Sequence, residues 1–255
     1  MVLAVLFFNT TFALFLSKAE AVFELVFKVE QDSINADTIL LGDSVCLQFY
    51  SERKDDEVYC LCDNQSYETP GNYILLDLLV HGESKFKELI LMINPETLVH
   101  SLNQDFTYNY FVKPFRAHID LLDKKEIDYI KATFPDRDIL KYKFSNFQFP
   151  DSLKLSENNH LDSLKISELN LRYIAKIDSL CKKNNIVFKM VCPPLPSSNR
   201  ELVDRFSKEN RTTFASYFKS ISYYDSAASK DGMHHDDAKG FVKTNKKQLD
   251  GLLEK

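Results

Sequence analysis

Apolar positions along this chain switch repeatedly between short unbroken runs and helical spacing, and the alternation predicts strands followed by helices. Val2 to Leu16 is apolar apart from Asn9, Thr10 and Thr11. Ala19 to Glu30 carries Ala21, Val22, Leu25, Val26 and Val29 on one helical face. A short β run through Ile39 stops at Gly42, and Cys46, Leu47 and Phe49 then come at helical spacing. Val58 to Leu61 predicts a second strand, Tyr73 to Val80 a helix, and Glu88 to Ile93 a fully buried strand. Leu121 to Thr133 and Leu161 to Asn184 predict helices, the second strongly amphipathic, before a fourth buried strand at Ile186 to Val191. Cys192 to Pro196 must leave the sheet at its carboxyl end. Helical stretches at Arg200 to Lys208 and Thr212 to Phe218, a last short strand at Ile221 to Tyr224 and a helix at Ala238 to Leu253 complete the series. Helix and strand in alternation, with buried strands, predict a three-layer α/β/α fold around a mostly parallel sheet.

The same pattern divides the chain. Residues 1–17 form a hydrophobic segment, 18–34 a stalk or packing helix, and 35–255 one α/β domain with an aromatic-rich insertion at about 100–155. The first segment is shorter than the roughly 20 residues that span a bilayer and lacks the basic start of a secretion signal. A membrane anchor, an uncleaved signal and a helix packed on the domain all remain open; the anchor is the favoured reading, because a soluble fold needs no such run before its first strand. The nearest positive residues, Lys18 and Lys28, come after the segment and do not set an orientation. In the insertion, Phe106, Tyr108, Tyr110, Phe111, Phe115, Tyr129, Phe134, Tyr142, Phe144, Phe147 and Phe149 could stack on sugar rings, although core packing is the commoner use of such residues.

Composition narrows the function. With 255 residues, 44% of them hydrophobic, the chain can bury one substantial core. A net charge of −5 excludes nucleic acid as the main partner, since phosphate neutralisation needs clustered Lys and Arg. The five cysteines (Cys46, Cys60, Cys62, Cys181 and Cys192) are odd in number and lack zinc-ribbon spacing; they read as buried free thiols rather than a disulfide framework. His100, His118 and His160 show no metal-ligand spacing, and no metal or cofactor is expected.

The candidate chemistry sits at two ends of the domain. Gly42-Asp43-Ser44 lies where a strand turns into a helix, which lifts a hydroxyl to the sheet edge beside unpaired N–H groups. Asp231-Gly232-Met233-His234 places an acid three residues before a histidine, so that one loop can supply a base and its orienting carboxylate. His235 is adjacent but has no acid at the same offset, Asp43 reads as bracing the turn, and Asp236 and Asp237 as caps of the next helix. The run of histidines and carboxylates could otherwise be a polar or metal-binding loop.

With these two motifs in this order and separation, the chain resembles the SGNH (GDSL-type) hydrolases over about residues 37–241. The resemblance implies an SGNH-hydrolase-like, flavodoxin-like fold with Ser44 as nucleophile, His234 as base and Asp231 as its partner. It also implies an oxyanion hole from the backbone of Ser44 and Gly71 and the side-chain amide of Asn94. Departures are present: Ile93 stands where the family has a glycine before Asn94, and Pro95 stands where an acid is usual. The implied activity is a serine esterase or O-acyltransferase working on acyl, by analogy acetyl, esters of a cell-surface or exported polysaccharide. The implied partners are an acylated glycan or small ester and, through the N-terminal segment, a membrane, with the domain outside the cytoplasm. The alternative is a non-catalytic, membrane-tethered glycan-binding or assembly module that keeps the fold.

Overall fold

The computed structural model describes residues 20–63, 68–104, 107–134, 164–218 and 221–254. The N-terminal apolar segment, His160 and the aromatic residues Phe106, Tyr142, Phe144, Phe147 and Phe149 lie outside them. Among the described residues, no helix is long and apolar enough to cross a membrane.

Four strands, β1 (Thr38–Gly42), β2 (Val58–Cys60), β3 (Glu88–Met92) and β4 (Val187–Val191), form a parallel sheet in the order β2-β1-β3-β4. Its centre is β1 and β3, in register from Thr38 opposite Glu88 to Gly42 opposite Met92. Ile39, Leu40 and Leu41, with Leu89 to Met92, are fully buried, as expected of strands covered on both faces.

The chain moves outward from β1 to β2 through α2 (Ser44–Tyr50), then back past β1 to β3 through α3 (Glu68–His81). Right-handed crossovers running in opposite directions put their helices on opposite faces. Accordingly α1 (Glu20–Gln31), α3 and α5 (Glu168–Lys183) pack together, while α2 packs with α8 (Ala238–Thr244) near the C-terminus. Tyr50 of α2 donates to the Leu249 carbonyl of α9 (Lys246–Leu253) at 2.9 Å, and the rings of Phe49 and Phe241 lie 5.2 Å apart. These contacts make three layers. Between β1 and β3 the connections leave in opposite directions, and such switch points open a crevice at the carboxyl ends of the strands.

Local chemistry sets the boundaries. Ser167 caps α5 by accepting the Asn170 N–H, and the helix ends at Asn184 before Asn185, whose φ of 58° suits an asparagine. Leu169, Tyr173, Ile174, Ile177 and Cys181 form its buried stripe. In the insertion, Tyr108, Phe111, Phe115 and Phe134 are core residues; Tyr108 stacks on Phe134 with ring centroids 5.8 Å apart. The helix expected from Leu121 is α4 (Lys124–Thr133), preceded by a 3₁₀ stretch at Arg116–Leu121.

Three expectations need correction. The helix after β2 begins at Glu68, not Tyr73, so Gly71 is its fourth residue rather than a junction glycine. The fourth strand is not buried throughout: at the sheet edge, β4 is exposed at Val187 and half-buried in its middle, and only Met190 and Val191 are buried. Leu195–Pro196 leaves that sheet and, as β5, pairs in parallel with β6 (Tyr223–Tyr224) in a separate two-stranded sheet, with α6 (Arg200–Glu209) and α7 (Arg211–Tyr217) between them in the chain. Most consequentially, Cys46 and Cys62 form a disulfide, with Cα atoms 6.0 Å apart, inside the span that a disulfide bridges. Cys46 comes after β1 and Cys62 after β2, so neighbouring parallel strands deliver both to one sheet edge. Cys60, Cys181 and Cys192 are buried free thiols.

Candidate active site

The site begins with a close approach of backbone. A Cβ on Gly42 would lie 1.9 Å from the Met92 carbonyl oxygen, so β1 and β3 can finish side by side only if residue 42 has no side chain. The chain then turns into α2, capped by Asp43, whose Oδ1 accepts the N–H groups of Val45 (3.0 Å) and Cys46 (3.2 Å). The other oxygen, Oδ2, accepts the N–H of Asn94 at 2.8 Å. One carboxylate therefore fixes the start of α2 against the residue just past β3. Burial pushes the Asp43 carboxyl up, opposed by these N–H donors and by His234. Ser44, half-buried, opens the helix, where N–H groups lack an i−4 carbonyl.

Asn94 is completely buried. Its Oδ1 accepts the Glu96 N–H at 3.2 Å, which settles which end of the amide is oxygen. Its Nδ2 is a buried donor with no hydrogen-bond partner among the described residues, next to the turn that carries Ser44.

From the far end of the chain comes a tightly wound loop. Gly232, with φ of +81°, lets the backbone curl so that Asp231 Oδ1 accepts the N–H groups of Met233 (3.0 Å) and His234 (2.8 Å). Asp231 Oδ2 lies 2.9 Å from His234 Nδ1, and His234 Nε2 lies 3.0 Å from Ser44 Oγ. The backbone N–H of His234 is the largest influence holding the Asp231 carboxyl down, to about 2. Asp231 is thus an ionised acceptor. Such an acceptor favours the tautomer with the proton on Nδ1, in which Nε2 of the neutral ring accepts the Ser44 hydroxyl.

The loop is braced on several sides. Lys230 N–H and Ser229 Oγ donate to the His234 carbonyl, and Tyr224 donates to that of Met233. Gln48, one turn along α2 from Ser44, accepts the His235 N–H through Oε1 at 2.8 Å. Gln48 therefore links the helix that carries Ser44 to the backbone beside the imidazole. The His235 ring packs instead against Tyr224 and Phe241, each 4.9 Å away, while its Nδ1 accepts the Asp237 N–H. Asp237 caps α8 by accepting the Gly240 N–H.

Of the residues singled out in the sequence, Ser44, His234 and Asp231 come together as a hydrogen-bonded chain, and Asn94 joins them through Asp43. Gly71 lies in the first turn of α3, buried, with no contact to Ser44 described. Gln48 is not among the residues that the sequence motifs mark; its one signal is a polar side chain four residues after the serine in an otherwise apolar helix.

No protein-family model and no curated protein matches the chain. Among solved structures, a Streptococcus pneumonia protein whose name refers to platelet activating factor is similar at 11% identity and a TM-score of 0.41. The alignment covers 90% of this chain and 91% of that one. A likeness this low bears on neither activity nor substrate, and the geometry of the site carries the functional reading.

Proposed function

We propose that this protein is a serine esterase or O-acyltransferase. The observation that carries the reading is the 3.0 Å contact between Ser44 Oγ and His234 Nε2 across nearly the whole domain, with Asp231 behind the imidazole. A serine hydroxyl becomes a useful nucleophile when a neighbouring base takes its proton, and an imidazole serves as that base when a carboxylate fixes its tautomer. In the proposed reaction Ser44 attacks an ester carbonyl, His234 takes the proton and returns it to the leaving alcohol, and Ser44 is left acylated. The N–H of Ser44 and the Asn94 amide are the assigned oxyanion donors. The unpartnered Nδ2 of Asn94 supports this assignment for its residue.

Water or a sugar hydroxyl then accepts the acyl group. We assign acetyl esters of a cell-surface or exported polysaccharide as the substrate class on the resemblance to SGNH hydrolases, and a membrane tether to the N-terminal segment on its apolar run ahead of the first strand. Acetate release from an O-acetylated oligosaccharide, measured with and without a second, unacetylated oligosaccharide, tests the reading. Release that depends on Ser44 and His234 is expected; transfer to the added sugar would mark an acyltransferase, and no turnover of any acyl ester would remove the enzyme reading.

A further inference from the structure

Behind the nucleophile turn, the sulfurs of Cys46, Cys60 and Cys62 lie within 4.8 Å of one another, all three residues buried. Cys46 and Cys62 are bonded and Cys60 carries a free thiol. We propose that this trio is a thiol–disulfide exchange site whose bond state holds or releases the nucleophile helix. Its effect on activity rests on the serine-hydrolase reading; the tie itself does not.

The placement argues for coupling. Cys46 is the third residue of α2, two after Ser44, and its N–H is one of those accepted by Asp43. A side chain on Gly42 would begin 3.1 Å from the Cys46 Cβ, so the cysteine is wedged against the turn. Cys62 lies just beyond β2, in a stretch held to the sheet by the Leu61 N–H donating to the Leu40 carbonyl at 2.8 Å. The bond therefore anchors a seven-residue helix, too short to be stable alone, to the edge strand of the sheet. When it is broken, two sulfurs must separate to non-bonded contact inside a close-packed interior, and the displacement falls on α2.

Cys60 makes the site more than a staple. Its thiolate can attack Cys62 Sγ, forming a Cys60–Cys62 bond and releasing Cys46 as a thiolate that takes up the proton Cys60 gave up; nothing is oxidised or reduced overall. Burial pushes the Cys60 thiol up to about 11, so near neutral pH only about one molecule in 10⁴ carries the attacking thiolate. Exchange is therefore slow near neutral pH and quickens as pH rises. Complete opening needs an external dithiol: one of its sulfurs attacks Cys62, Cys46 leaves and is protonated, and the second sulfur attacks the mixed bond. The dithiol ends as a disulfide and the protein as two thiols.

The test compares the whole chain before and after treatment with dithiothreitol, with three readouts. Alkylation after unfolding should count three reactive cysteines before treatment and five after. Hydrogen exchange of the α2 amides should quicken by at least tenfold on reduction, and the rate of Ser44 modification by a fluorophosphonate should fall by a similar factor, both recovering on reoxidation. At pH 10, disulfide mapping should show a Cys60–Cys62 species that Cys60→Ser abolishes. The proposal is overturned if five cysteines react before treatment, if α2 exchange is unchanged while the count rises from three to five, or if no exchanged species forms at pH 10. Absence of fluorophosphonate modification in both states would count against the hydrolase reading alone, because α2 exchange still reports the tie. The Cys46→Ala/Cys62→Ala protein, if folded, should match the reduced form.

Discussion

At the scale of single residues, the proposed site is a hydrogen-bonded chain of three side chains, Ser44, His234 and Asp231, with the Asn94 amide beside it. Replacing His234 by Ala leaves Ser44 without a base and should lower acyl-ester turnover by about 10²–10⁴-fold, read as kcat/KM with a small acetyl ester. Replacing Asn94 by Ala removes the unpartnered amide donor; the loss expected of an oxyanion donor is about 10²–10³-fold in kcat with KM little changed. Asp231 offers a check that needs no substrate. Its carboxyl is held at about 2 by N–H donors of its own loop, so the folded value lies below the unfolded one. The stabilisation it lends the loop is then full above the ordinary aspartate value of about 4 and is lost as pH falls toward 2. Carboxyl-carbon NMR should give a midpoint near 2 for Asp231; a midpoint near 4 would mean that the loop does not hold its N–H bonds in solution.

At the scale of elements, two features bring the termini of the domain together. Gly42 permits β1 and β3 to end in contact, and Gly42→Ala drives a methyl group into the Met92 carbonyl. Either the strand ends part or the turn moves, and a loss of thermal stability together with loss of activity is expected. Gln48 ties α2 to the loop of His234. Gln48→Ala should leave the fold intact and lower kcat more than it raises KM, with Gln48→Glu, which keeps the accepting oxygen, recovering part of the rate. Equal rates in all three proteins would show that the imidazole is positioned without α2. The central elements are readable from hydrophobic spacing because Ile39 to Leu41 and Leu89 to Met92 are unbroken apolar runs and α5 is a clear stripe; β4, with Lys189 in its middle, is the less apolar edge strand. The start of α3 is not. Pro70 and Gly71 look like breakers, yet a proline in the first turn forfeits nothing, since the N–H it lacks has no partner there anyway.

At the scale of the whole molecule, the parallel order β2-β1-β3-β4 decides what meets what. The two motifs of the proposed site can be picked out in the sequence because each is local: a strand-to-helix serine and an acid three residues before a histidine. The Cys46–Cys62 bond cannot, because it depends on which strands are neighbours, and an odd count of cysteines argues against any pairing. Gln48 and Tyr224 escape for the same reason; their partners lie in backbone brought to them by the fold. The helix α9 is held to α2 by the buried Tyr50 hydroxyl on the Leu249 carbonyl, and to the turn after α2 by Arg53 paired with Asp250. Tyr50→Phe should lower stability by about 1 kcal/mol, seen in the denaturation midpoint, without altering the serine's reactivity.

The most direct test of the serine nucleophile is intact-mass analysis of the oxidised protein after exposure to a fluorophosphonate ester, with peptide mapping of the product. One phosphonyl adduct on Ser44, absent from Ser44→Ala and slowed at least a hundredfold in His234→Ala, is the expected result. An unmodified Ser44, or an adduct that persists at the same rate once the imidazole is gone, would contradict it.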